Sequence, residues 1–245
     1  MKHIKLFEAF STISLTEDQI NWLDECTAGS WRLNPSTGLV DVDGDFYCAG
    51  QGLKDFKGVA FGRAKDNFYC DNNQLTSLDG APKTVKGNFL CRSNQITSLE
   101  GAPQTVGGFF YCANNQLTSL DGAPKTVKGS FLCADNQLTS LVGAPKTVKG
   151  NFNCDNNQLT SLEGAPKTVD GGFSCKGNPI SERTLASIFK IMKNGKSYQQ
   201  ALEEHWPEMD NDDRLLMYKD HSSLAQEEIR RYQALTTVNR IKNYL

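Results

Sequence analysis

The chain has 245 residues, with 26 Lys and Arg against 28 Asp and Glu, a formal net charge of -2. It is long enough to bury a real core, and it lacks a global basic field that would steer it onto nucleic acid or an anionic membrane. No stretch reaches transmembrane length, and the apolar run of MKHIKLFEAFSTISL is interrupted by Glu8 with no small-residue cleavage site after it, so an unsecreted, soluble, cytoplasmic protein is expected.

From the N-terminus, LTEDQINWLDEC predicts a helix. Thr16 is placed as N-cap with Gln19 at N3, a capping box, Leu15 is set to staple against Ile20, and Gly29 marks the expected end. SWRLNPSTGLVDVDGDFYC then predicts a hairpin, with alternation at Trp31 and Leu33, a turn from Asn34 to Gly38, and Leu39, Val40 and Val42 leading onward. Residues 1–41 are thus read as an N-terminal segment with a helix-hairpin cap.

The next stretch repeats itself. Seven of the eight cysteines, Cys48, Cys70, Cys91, Cys112, Cys133, Cys154 and Cys175, are separated by one step of 22 and then five of 21. A phenylalanine stands two residues before each: Phe46, Phe68, Phe89, Phe110, Phe131, Phe152 and Phe173. Spacing of two puts Phe and Cys on one face of a strand. From the second unit on, an Asn follows three residues after the Cys, then a pair of large aliphatics such as Leu75 and Leu78, a Gly-Ala-Pro corner and a valine. A period of this length predicts a solenoid of about seven coils over residues 42–178, because one unit cannot bury its apolar side alone and must stack on the next. The Asn is expected to satisfy buried backbone of adjacent coils. The degenerate first coil, with Gln51 in place of Asn, suits a capping unit.

Beyond Pro179 helix signals take over. Ser181 caps ERTLASIFKIMKNG, Ser197 with Gln200 forms a second capping box ended by Pro207, and a short helix is expected around Arg214 to Tyr218. Leu224, Ile229, Tyr232, Leu235, Val238, Ile241 and Leu245 then fall on one helical stripe. Residues 179–245 are therefore read as a C-terminal helical domain docked on the last coil.

The unit F-x-C-x-x-N-x-L-x-x-L is similar to the leucine-rich repeat pattern L-x-L-x-x-N-x-L, and NNQLTSL resembles the short repeats of bacterial leucine-rich effectors. FYCDNNQLTSLDGAP most resembles leucine-rich repeat proteins of large tailed phages, over roughly residues 39 to 180. Two departures stand out: Val85 and its equivalents lie four residues before the strand aromatic, and Cys takes the second strand position. The resemblance implies an α/β-type repeat solenoid with short parallel strands, phage-encoded and acting in the host cell cytoplasm. Some effectors carry a ubiquitin-ligase domain with a catalytic Cys after the repeats; here no Cys follows Cys175, so that activity does not carry over.

Chemistry-bearing motifs are thin. Stacked thiols in a ladder all point one way at about 4.8 Å, whereas zinc needs converging ligands at about 2.3 Å and a disulfide needs Cβ atoms about 3.5 to 4.5 Å apart. Buried free thiols acting as small apolar side chains are expected, with neither metal nor cofactor. DVDGDFYC lacks the calcium-loop spacing, since the twelfth position from Asp41 is Gly52; NGKS has Lys190 where a P-loop needs its first glycine. Asp210 to Asp213 suit a helix N-terminus, and His3, His205 and His221 share no motif with a nucleophile, so no enzyme is expected. Lys83, Lys86, Lys125, Lys128, Lys146, Lys149 and Lys167 form a row beside Asp79, Glu100, Asp121 and Glu163, an arrangement read as a solvated surface on which the acids cancel the field for nucleic acid.

Scaffold positions are copied; face positions are not. Between each inward Phe and Cys stands one outward residue: Tyr47, Tyr69, Leu90, Tyr111, Leu132, Asn153 and Ser174. The apolar five, Tyr47, Tyr69, Leu90, Tyr111 and Leu132, are the predicted partner-binding residues of a non-enzymatic protein-recognition module. The alternative is a virion-associated structural or internal protein: MKHIKLFEAF resembles the capsid-targeting segments of phage internal proteins, and Leu6-Phe7-Glu8 is similar to the hydrophobic-x-Glu sites cut by prohead proteases.

Overall fold

The computed structural model describes residues 14–180. The helices expected from Ser181, Ser197 and Arg214, the stripe from Leu224 to Leu245, and the segment before Ser14 lie outside the described residues.

The described chain opens with α1 (Glu17–Cys26). Its capping box forms: the Gln19 amide donates to Thr16 Oγ1 at 3.2 Å, and the Thr16 amide donates to Gln19 Oε1 at 2.9 Å. The expected staple does not close over a buried pair, because Leu15 packs on the core while Ile20 stays 38% exposed. The helix also ends three residues before Gly29. Thr27, in extended conformation, caps it and at once starts β1 (Thr27–Leu33), which pairs antiparallel with β2 (Val40–Tyr47) across the Asn34 to Leu39 turn. Gly29 instead faces Gly44 across that pair, both at positive φ (134° and 147°). A Cβ on Gly29 would meet the Asp43 carbonyl, so the glycine serves a close strand crossing.

β2 is the root of the solenoid. Its first half pairs in parallel with β3 (Phe61–Ala64), and its last two residues pair with β4 (Phe68–Tyr69). Two parallel ladders grow from these. One contains β4, β6 (Phe89–Leu90), β8 (Phe110–Tyr111), β10 (Phe131–Leu132), β12 (Phe152–Asn153) and β14 (Phe173–Ser174). The other contains β3, β5 (Thr84–Val85), β7 (Thr105–Val106), β9 (Thr126–Val127), β11 (Thr147–Val148) and β13 (Thr168–Val169). Equivalent residues pair with equivalent residues along both. The molecule is thus a parallel repeat solenoid in which the seven strands that lead into the repeated cysteines bound six turns of 21 or 22 residues. It is more sheet than the α/β class expected: among the described residues α1 is the one helix, and the valine after the Gly-Ala-Pro corner sits on a strand of its own.

The stacked coils make one continuous core. Phe46, Phe68, Phe89, Phe110, Phe131 and Phe152 are fully buried, and from Phe68 to Phe152 successive rings stack with centroids 5.3 to 5.7 Å apart. Burying each ring contributes roughly 1.5–3 kcal/mol, and the Leu pairs and valines close the back of each coil at 0 to 1% exposure from the second unit to Val148. The asparagine ladder works as the sequence leads one to expect. Asn94 donates to the carbonyls of Cys70 and Cys91, both at 3.0 Å, and its Oδ1 accepts from the Leu75 amide at 3.0 Å; Asn73, Asn115, Asn136, Asn157 and Asn178 make the same bonds. Trp22 closes the first coil edge-on against Phe46 at 5.3 Å and donates to Gln51 Oε1 at 2.8 Å.

Candidate functional site

Parallel register carries every sequence-predicted face residue into one column. Tyr47 pairs with Tyr69, Tyr69 with Leu90, Leu90 with Tyr111, Tyr111 with Leu132, and the column continues through Asn153 to Ser174. Each lies outside because the Phe before it and the Cys after it are inside. Tyr47 is 48% exposed and the others are partly exposed.

Planar groups organise the column. The Tyr47 and Tyr69 rings stack at 4.8 Å with planes 4° apart. The Tyr47 hydroxyl donates to Asp45 at 2.7 Å, and this bond to a carboxylate pushes the phenol up to about 12. Partial burial raises the Asp45 carboxyl, but bonds from Tyr47 and from the Asn67 amide and side chain outweigh it and hold the group below its ordinary value. Desolvation raises Tyr69. Further along, the Arg92 guanidinium lies 5.3 Å from the Tyr111 centroid, and its Nε is 3.8 Å from Asp71. At the far end the polar face is occupied with itself: Asn153 accepts from the Asp155 amide, and Asp155 Oδ1 accepts from Ser174 Oγ and the Lys176 amide.

One face residue escapes a reading based on the Phe-x-Cys window. The position just before each Phe is Asp45, Asn67, Asn88, Phe109, Ser130, Asn151 or Gly172. Polar side chains there accept the amide of the next coil, from Asn67 N to Asp45 at 2.8 Å, from Asn88 N to Asn67 at 2.7 Å, from Phe109 N to Asn88 at 2.7 Å, and from Gly172 N to Asn151 at 2.7 Å. Phe109 interrupts that ladder with a ring that is 50% exposed. It stands just before β8, on the other side of buried Phe110 from the partly exposed Tyr111, with its ring against Gly129 of the next coil. The signal was in the sequence: Phe109 is the one bulky apolar residue at its repeat position.

Other candidates for chemistry are quiet. All eight cysteines are free and buried. Desolvation pushes the thiols of Cys48, Cys70, Cys91, Cys112, Cys133 and Cys154 well above their ordinary range, which removes the thiolate that reactivity needs. Among the described residues no group of His, Cys, Asp or Glu could hold a metal ion, and no helix is long and apolar enough to cross a membrane. Asp41, Asp43 and Asp45 on β2 are taken up by Arg32 and Arg63, by Lys65, and by Tyr47 and Asn67. No family model, no curated protein and no solved structure matches the chain.

Proposed function

We propose that the chain is a non-enzymatic protein-recognition module of the leucine-rich repeat kind, phage-encoded and acting in the cytoplasm of the bacterial host, which binds a protein partner through Tyr47, Tyr69, Leu90, Tyr111 and Leu132. The observation that carries the reading is the contrast within each strand. Phe and Cys are identical from coil to coil because they fill the same core; the residue between them is individual and faces outward in a single column. Solenoids offer such columns as extended binding surfaces. The Tyr47–Tyr69 stack and the Arg92–Tyr111 pair hold their rings before a partner arrives, which lowers the ordering cost of association. The phage assignment rests on the likeness of FYCDNNQLTSLDGAP to phage repeats.

The test is affinity capture from host lysate with the parent protein and with Tyr69→Glu/Tyr111→Glu. Aromatic anchors at an interface contribute about 2 kcal/mol or more each, so the double variant should lose the parent's partners. A folded double variant that captures the same set places the site elsewhere.

A further inference from the structure

The departures from the repeat concentrate on one coil. Residues 91–111 carry Arg92 and Ser93 where four of the other units have Asp or Ala followed by Asn or Asp, Gln104 and Gly107 where neighbouring units have lysines, and Phe109 where they have Asn or Ser. On the Thr-Val ladder Lys83 and Lys125 lie on the coils either side of Gln104, since the Gln104 amide donates to the Lys83 carbonyl and the Lys125 amide to that of Gln104. Lys86 and Lys128 flank Gly107 in the same way, because Val85 pairs with Val106 and Val106 with Val127. Gly107 and Gly108 leave a gap between Lys86 and Lys128 that leads along the chain to Phe109 and Tyr111.

The four lysines are exposed, and none makes an ion pair among the described residues. Asp79 and Asp121 accept the hydroxyls of Ser77 and Ser119 on their own corners, Glu100 stands at the equivalent corner, and Asp66 lies on the neighbouring coil beside Gly87, whose amide donates to its carbonyl. Four lysines outside any ion pair among the described residues therefore stand on the coils either side of the one that carries Phe109. Arg92, on the other side of that anchor, is held by Asp71 and stacked on Tyr111.

We infer that the partner segment bound at this face is an acidic peptide with an aromatic or large aliphatic anchor, seated on Phe109 and Tyr111, with its carboxylates reaching Lys86 and Lys128 across Gly107. This rests on the reading of the outer column as a recognition surface and adds the partner's chemistry and a residue outside that column. Phe109 supplies desolvated contact area, and lysines around an apolar centre favour anionic partners and raise the association rate.

The test is selection of a random linear-peptide display library on the immobilised full chain, repeated on Phe109→Asn, on Lys86→Glu/Lys128→Glu and on Tyr69→Glu/Tyr111→Glu. Phe109→Asn restores the residue found at Asn67, Asn88 and Asn151, so the fold should be kept, and circular dichroism checks it. Parent selection should enrich peptides rich in Asp and Glu around an aromatic or Leu. Individual hits should bind Phe109→Asn about tenfold or more weakly, equal to about 1.4 kcal/mol, and should lose their acidic bias on the lysine variant. Basic or neutral hits, equal binding to Phe109→Asn, or no enrichment overturns the inference. Hits lost with the Tyr variant but kept by Phe109→Asn overturn it and leave the outer-column reading standing; hits indifferent to both variants overturn both.

Discussion

Asn115 donates from Nδ2 to the carbonyl of Cys91, one coil back, at 3.1 Å, and to that of Cys112 in its own coil at 3.0 Å. Its Oδ1 accepts the Ile96 amide at 3.0 Å. A single side chain therefore satisfies backbone groups of two coils where no strand partner is available, at about 9% exposure. Two successive coils are cross-linked at each such step, and the ladder is what makes neighbouring coils commit to one register.

Asn115→Leu, of similar volume, should accordingly destabilise strongly. The Ile96 amide would be left buried without an acceptor, at roughly 1–3 kcal/mol, while the Cys91 and Cys112 carbonyls would each lose one donor and keep another, from Asn94 and Asn136. Urea titration should show a loss of about 1–3 kcal/mol; a midpoint within error of the parent would show that water replaces the side chain.

The corner glycines make a second prediction. Gly122 has φ +86°, and a Cβ there would lie 2.5 Å from the Glu100 amide nitrogen and the Leu99 carbonyl carbon, backbone that cannot step aside. Gly122→Ala should cost about 2–4 kcal/mol through strain and overlap. Gly50 is the control: φ is +69°, nothing lies within 4 Å, and Asn72, Asn114 and Asn156 occupy the same register at φ between 53° and 56°. Gly50→Asn should leave the thermal midpoint within a degree or two, and equal losses for both substitutions would refute the overlap argument.

Much of this was legible because one period sets both burial and hydrogen bonding. Phe110, Cys112, Asn115, Leu117 and Leu120 announce their places by recurring, and the capping box at Thr16 and the turn after Asn34 are short-range signals that tertiary packing did not override. The Thr-Val ladder was hidden because a two-residue strand has one inward side chain and no alternation to detect. The end of α1 was misplaced for a different reason: Gly29 looks like a helix stop, yet its need for φ +134° arises from Gly44, fifteen positions away in sequence and opposite in space. Phe109 was legible as the one bulky apolar residue at its repeat position, but its meaning came from the hydrogen-bond ladder through Asn88 that it interrupts.

The outward column should tolerate charge without loss of fold. Tyr69 and Tyr111 project from strands whose buried neighbours, Phe68, Cys70, Phe110 and Cys112, are unchanged by Tyr69→Glu/Tyr111→Glu. The double variant gives up the Tyr47 stack and the Arg92 contact, aromatic terms of about 0.5–1.5 kcal/mol each. A thermal midpoint lowered by a few degrees with unchanged far-ultraviolet circular dichroism is expected. Global unfolding would mean that the column is covered rather than outward.

The thiol column should make the protein unusually sensitive to alkali. Desolvation raises Cys48, Cys70, Cys91, Cys112, Cys133 and Cys154, so in the folded state they stay protonated well above the value of about 8.5 at which thiols of an unfolded chain ionise. The sign follows from which state holds the proton. Below the unfolded value both states are protonated and the stabilisation is complete; as pH rises toward the folded values the unfolded state alone releases protons, and stability falls. Each thiol contributes a slope of about 1.4 kcal/mol per pH unit in that window, and six act together. The urea midpoint should therefore be flat from about pH 6 to 8 and collapse between about pH 9 and 10.5. Cys112→Ala should cost about 1 kcal/mol at neutral pH by leaving a small cavity, yet it removes one titrating thiol and should shallow the alkaline slope by about a sixth. A midpoint that stays level through pH 10 in the parent, with all eight thiols free on denaturation, would mean that the thiolates are solvated in the folded state and that the column is not part of the core.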